Sequence, residues 1–101
     1  MDVKGKHVLV FGSGISGIAA ARLLLQEGAR VILYDGNTKL DKEQLLQDIT
    51  GGRQAETVQV LLGELPDEVL DTLALVVISP GVPTDLPIVE AMRAKNLPIW
   101  G

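Results

Sequence analysis

His7-Val8-Leu9-Val10-Phe11-Gly12-Ser13-Gly14-Ile15-Ser16-Gly17 is the stretch on which the fold of this chain turns. From His7 to Phe11 there is no polar/apolar alternation, the pattern of a strand covered on both faces. The glycines that follow fit G-x-G-x-x-G, and each has a distinct task. Gly12 permits the tight turn out of the strand, Gly14 leaves the backbone open to a pyrophosphate, and Gly17 lets the next helix lie close to the sheet. That helix is expected over Ile15 to Glu27, with Ile18, Ala19, Leu23 and Leu24 as its apolar face and Gly28 as its stop.

The same alternation repeats along the rest of the chain. Val31-Ile32-Leu33-Tyr34 reads as a second buried strand ending at Asp35, Gly36-Asn37 as a turn, and Asp41 to Ile49 as a more polar helix broken by Gly51-Gly52-Arg53. Val58 to Leu62 is a third strand, and Pro66 to Leu70 a short helix with proline in its first turn. Leu75 to Ile78 is a fourth strand, Leu86 to Lys95 a helix, and Leu97 to Trp100 the start of a fifth strand. Strands alternating with helices predict an α/β fold: a Rossmann-like open parallel sheet of about five strands, joined by right-handed crossovers, with helices on both faces.

At 101 residues this is one domain, 1–101, with room for one modest core. With no cysteine and a single histidine, His7, a zinc site is not expected. His7 itself reads as a surface or structural residue on the sheet edge opposite the ligand. No apolar run approaches the roughly 18 residues of a membrane span, and no signal peptide is visible, so a soluble, cytoplasmic protein is expected; it is separately expected to be a monomer. The net charge of −4 argues against nucleic-acid binding. An anionic ligand would have to be held by local groups, not by the overall field. The sequence finishes at Trp100-Gly101 as a strand ends, and is read as a domain cut from a longer polypeptide.

The candidate binding residues are Gly14, Ile15, Ser16 and Gly17 at the helix start, where unpaired N–H groups and the positive end of the helix dipole favour a phosphate. No lysine or arginine lies in that loop. Asp35, 18 residues beyond Gly17, either accepts from a ribose diol or a base N–H, or simply stabilises the Gly36-Asn37 turn. Ser79, Pro80 and Gly81 follow the fourth strand. They either contact a phosphate or sugar or merely end the strand. Trp100 reads as a core or interdomain packing residue. There is no G-x-x-x-x-G-K-[ST] loop for ATP and no Ser/His/Asp or Cys/His set, so these residues can bind a ligand but hold nothing that performs chemistry.

The glycine loop with Ile18-Ala19-Ala20-Ala21-Arg22-Leu23-Leu24, then Gly28-Ala29-Arg30-Val31 and Asp35, then Ile78-Ser79-Pro80-Gly81-Val82, resembles the N-terminal domain of the D-glutamate-adding Mur ligases over essentially the whole chain. The resemblance implies a three-domain ligase whose first domain holds the UDP part of UDP-N-acetylmuramoyl-L-alanine. It implies that ATP, with Mg²⁺, converts the substrate carboxylate to an acyl phosphate that the D-glutamate amine attacks. On this reading Ile15 and Ser16 meet the diphosphate, Asp35 and Gly36 the uridine, and Ser79 and Gly81 complete the pocket. Asn37 departs from relatives that carry arginine there. Residues for ATP, Mg²⁺ and D-glutamate are expected beyond Gly101, and the chain alone is expected to be inactive. Two other readings stand beside this one. The loop and Asp35 suit NAD equally well, and a non-catalytic nucleotide-sensing module would share them.

Overall fold

The computed structural model describes residues 2–53 and 56–100. Strands β1 (His7–Phe11), β2 (Arg30–Asp35), β3 (Val58–Leu62), β4 (Leu75–Ile78) and β5 (Ile99–Trp100) alternate with helices α1 (Ile15–Gln26), α2 (Lys42–Thr50), α3 (Asp67–Leu70) and α4 (Pro87–Ala94). All four strand pairings are parallel, in the order β3-β2-β1-β4-β5. The chain first steps from β1 through β2 to β3, then returns to the other side of β1 for β4 and β5. The expected Rossmann-like sheet is therefore present.

Side chains of a strand alternate between faces, which splits the apolar residues into two layers. Val8, Val10, Val31, Leu33 and Val60 join Ala21 of α1 and Leu45 and Ile49 of α2. Leu9, Phe11, Ile32, Tyr34 and Val76 join Leu70 of α3 and Val89 and Met92 of α4. The central strands lack polar alternation because both faces are covered. Each fully buried Val or Leu contributes about 1.5–3 kcal/mol over leaving it in water. Asp41 caps α2, its carboxylate accepting from the Glu43 and Gln44 N–H groups at 3.1 and 3.2 Å. Gly51 closes that helix in the left-handed conformation.

The apolar face expected for α1 is rotated. Gly17 and Ala21 are the buried residues, with Ile18, Leu24 and Leu25 packed beside them. Ala19 faces out and Leu23 is 58% exposed. Side-chain size explains the shift: the line of closest approach to β1 admits only small residues, whereas hydrophobicity ranks leucine first. At the C-terminal end, β5 is shorter than the expected Leu97–Trp100. Leu97 and Pro98 lead into it as loop, with the Pro98 carbonyl accepting from the Val76 N–H at 2.9 Å. Trp100 is half exposed and lies outside both core layers. The third helix begins at Asp67, with Pro66 just before it. Among the described residues no helix is long and apolar enough to cross a membrane.

Candidate functional site

Three loops leave the same edge of the sheet, those after β1, β2 and β4. The hydrogen-bond ladders run right up to them. Gly12 N–H donates to the Tyr34 carbonyl at 2.8 Å, and Ser79 N–H to the Phe11 carbonyl at 3.0 Å. Because the strand order reverses between β1 and β4, neither crossover covers the gap above them. Ligands of open parallel sheets bind in such a gap.

The glycines shape the gap in different ways. Gly12 has φ +108°, and a Cβ there would lie 2.9 Å from Ser79 Cβ, so the loop after β4 is pressed against it. At Gly17 a Cβ would stand 1.8 Å from the Gly12 carbonyl oxygen. Gly17 is thus a packing residue behind the cleft, as its expected role in helix–sheet contact requires, and its backbone is buried. A Cβ at Gly14 would meet nothing within 4 Å. No side chain caps α1, whose N-cap residue is Gly14. The first internal bond runs from Ile18 N–H to the Gly14 carbonyl at 3.0 Å. The amides before Ile18 are those a helix cannot satisfy by itself, and they open onto the exposed Ile15 and Ser16.

Asp35 sits at the β2 end of this loop. Its Oδ2 accepts from the Ser13 N–H at 3.0 Å and the Ser13 hydroxyl at 2.8 Å, and its Oδ1 from the Asn37 N–H at 3.0 Å. Partial burial alone would raise its pKa. The bonds from the Asn37 N–H and the Ser13 hydroxyl and N–H outweigh that, holding the carboxyl below the usual carboxylate range. The Tyr34 phenol is pushed up, first by burial and then by the negative charges of Asp35 and Glu64. Asp35 therefore does stabilise the Gly36-Asn37 turn, and it also clamps the glycine loop. Asn37 is exposed, and its own side-chain oxygen accepts from the Lys39 N–H at 3.0 Å.

The depressed pKa of Asp35 fixes the sign of a pH effect. Stability from this carboxylate is fully present above the unfolded value of about 3.9 and is lost as pH falls through the lower folded value. Asp35→Ala is expected to cost about 1–3 kcal/mol at pH 7. The gap from wild type should narrow below about pH 4, as read by urea denaturation across pH. A gap of constant size down to acid would show that the charge contributes nothing.

On the other flank, the Ser79 hydroxyl donates to the Gly12 carbonyl at 3.4 Å, and the Val82 N–H donates to the Ser79 carbonyl at 3.0 Å. Ser79-Pro80-Gly81-Val82 is thus a tight turn with proline in its second position. It both ends the strand and walls the cleft. A cavity of about 340 Å³ results, bounded by Ser13, Gly14, Ile15 and Ser16 with Asp35 on one side and Ser79, Pro80 and Gly81 on the other. Of the ten residues expected at the site, Gly14, Ile15, Ser16, Asp35, Ser79, Pro80 and Gly81 line this cavity. Gly17 lies behind it, and exposed Gly36 and Asn37 stand just outside it. Ser13 and Val82 were not expected there. Ser13 was legible in principle, as a hydroxyl beside the end of the second strand. A larger cleft of about 570 Å³ lies between the C-terminal ends of α1 and α2, lined by Arg22, Gln26, Thr50 and Arg53, on the opposite edge of the sheet. His7 lies on that opposite edge too, in a small cavity with Arg30 and Glu56.

Fold and cleft together define a Rossmann-like α/β domain with an open gap at the β1/β4 switch point. Residues 6–101 match the family model described as Mur ligase MurD-like, N-terminal domain. The chain belongs to this family. It is 46% identical over 101 residues to a UDP-N-acetylmuramoylalanine--D-glutamate ligase of Lachnospira eligens, covering 100% of this chain and 22% of that protein. It is 44% identical over 101 residues, with the same coverage, to the enzyme of that name from Lachnoclostridium phytofermentans. The chain thus spans about a fifth of the length of these curated relatives. Among solved structures, a UDP-glucose dehydrogenase from Pyrobaculum islandicum aligns with TM-score 0.63 at 24% identity, over 99% of this chain and 26% of that one. That likeness shows the fold alone.

Proposed function

We propose that this chain holds the UDP moiety of UDP-N-acetylmuramoyl-L-alanine, as the N-terminal domain of an ATP-dependent ligase that adds D-glutamate in cytoplasmic peptidoglycan precursor synthesis. The observation that carries this reading is the juxtaposition of uncapped amides at the start of α1 with Asp35 and the Ser79–Gly81 turn in one open cleft. Amides aimed at a diphosphate make charge-assisted hydrogen bonds, stronger than neutral ones, and need no basic side chain. Asp35 offers an ionised acceptor to the nucleoside. The names carried by the relatives support the ligase as the setting. ATP, Mg²⁺ and D-glutamate belong to that larger enzyme, and no residue of this chain is assigned to them. Here the chain binds and orients; it performs no chemical step.

The NAD reading draws on the same loop and acid, and titration separates the two. The 101-residue chain is expected to bind UDP with a Kd of about 0.1–10 mM, because the other domains would supply part of the contact energy. Amide shifts in NMR spectra should cluster at Ser16, Asp35 and Ser79. A preference for NADH over UDP would overturn the assignment.

A further inference from the structure

Ser13 stands between the first two glycines of the loop, a position at which the G-x-G-x-x-G pattern specifies no side chain. Its backbone N–H would reach Asp35 whatever residue stood there. Its hydroxyl is what this sequence adds, a second bond of 2.8 Å to the same carboxylate oxygen. With Asn37 N–H on Oδ1, three of the roughly four acceptor positions of the carboxylate are filled by the chain itself. The group can no longer swing, and one acceptor position remains for a ligand. Its negative charge is held next to Gly14, within the cleft whose amides await an anion. A fixed charge at that spot accepts from hydroxyls or N–H groups and repels phosphate oxygens.

We propose that Ser13 is a positioning residue, whose hydroxyl holds the Asp35 carboxylate as a fixed acceptor at the β2 end of the cleft. In the UDP-bound chain proposed above Asp35 already meets the nucleoside and not the phosphates, so loss of the Ser13 hydroxyl should be felt by a nucleoside-bearing ligand alone. This rests on the nucleotide-binding reading given above, so the test separates the two. Wild type, Ser13→Ala and Ser13→Thr chains are titrated by NMR with UDP and with inorganic pyrophosphate, which presents phosphates without a nucleoside. In the ligand-free chains the Asp35 carboxyl carbon is followed through its own acid titration, with Tyr34, and Glu64 whose charge also acts on Tyr34, unchanged in every variant.

Ser13→Ala is expected to weaken UDP about 3- to 10-fold, the net worth of one ordinary hydrogen bond. Pyrophosphate should change less than about twofold, the Asp35 midpoint should move up, and Ser13→Thr should restore both. Equal losses for the two ligands would reduce Ser13 to a loop brace and overturn the proposal, as would unchanged UDP affinity. If wild type takes up neither ligand, the nucleotide reading fails. The ligand-free titration then judges Ser13 alone, and an Asp35 midpoint unmoved in Ser13→Ala overturns its positioning role.

Discussion

Gly17→Ala lowers the stability of the domain by about 3 kcal/mol, the upper end of what overpacking costs. Two effects oppose each other at this position. Alanine is the better helix former by about 1 kcal/mol. Against that, the added methyl would stand 1.8 Å from the Gly12 carbonyl oxygen and 2.9 Å from the Ser79 hydroxyl oxygen. The first of these neighbours is backbone just past β1, tied to β2 by the bond from the Gly12 N–H to the Tyr34 carbonyl, and cannot rotate away, so α1 must move off the sheet. The steric cost wins. For a domain of this size that loss corresponds to a fall in Tm of about 12–24 °C, at roughly 4–8 °C per kcal/mol. It removes a large part of a total stability of about 5–15 kcal/mol. Thermal melts followed by circular dichroism provide the check. An unchanged or raised Tm would show that α1 does not press on β1 as described.

Three residues earlier the same kind of change strikes binding instead. Gly14→Val is expected to lower UDP affinity at least tenfold while leaving the chain folded. The space around Gly14 is empty, with nothing within 4 Å of a Cβ, and its φ of −70° suits any residue. Valine is a poor N-cap, which costs about 1 kcal/mol, or a fall of roughly 4–8 °C in Tm. The isopropyl group, however, fills the approach to the open amides of α1. The paired measurement is a melt together with the UDP titration proposed for the wild-type chain. If the variant bound UDP normally, the loop would not be where the diphosphate sits. The two variants are thus expected to separate two roles within one motif, Gly17→Ala striking the fold and Gly14→Val the binding of UDP.

Much of this was legible in the residue order. The layered α/β fold follows from apolar runs lacking alternation, from glycines and prolines placed between them, and from one loop whose spacing suits a strand-to-helix turn. These are local signals, carried by residues within a few positions of one another, and β1, β3 and β4 have the expected limits. Most of the cleft lining was legible for the same reason, since seven of the residues expected there lie in short motifs at the ends of strands.

What the order of residues left open was decided by contacts between segments far apart in the chain. The sequence allowed Asp35 to be either a turn residue or a ligand residue. Only the parallel pairing of β1 with β2 brings it against Ser13, 22 positions away, and makes it the clamp of the loop. Ser79 meets the Gly12 carbonyl across 67 positions because β4 pairs with the other side of β1. The inward face of α1 was likewise set by how closely β1 lies beneath it, which favours Gly17 and Ala21 over Leu23. Local propensity and hydrophobic pattern determined the elements. Hydrogen bonds and steric fit between elements depend on which strands become neighbours, and sheet assembly settled those.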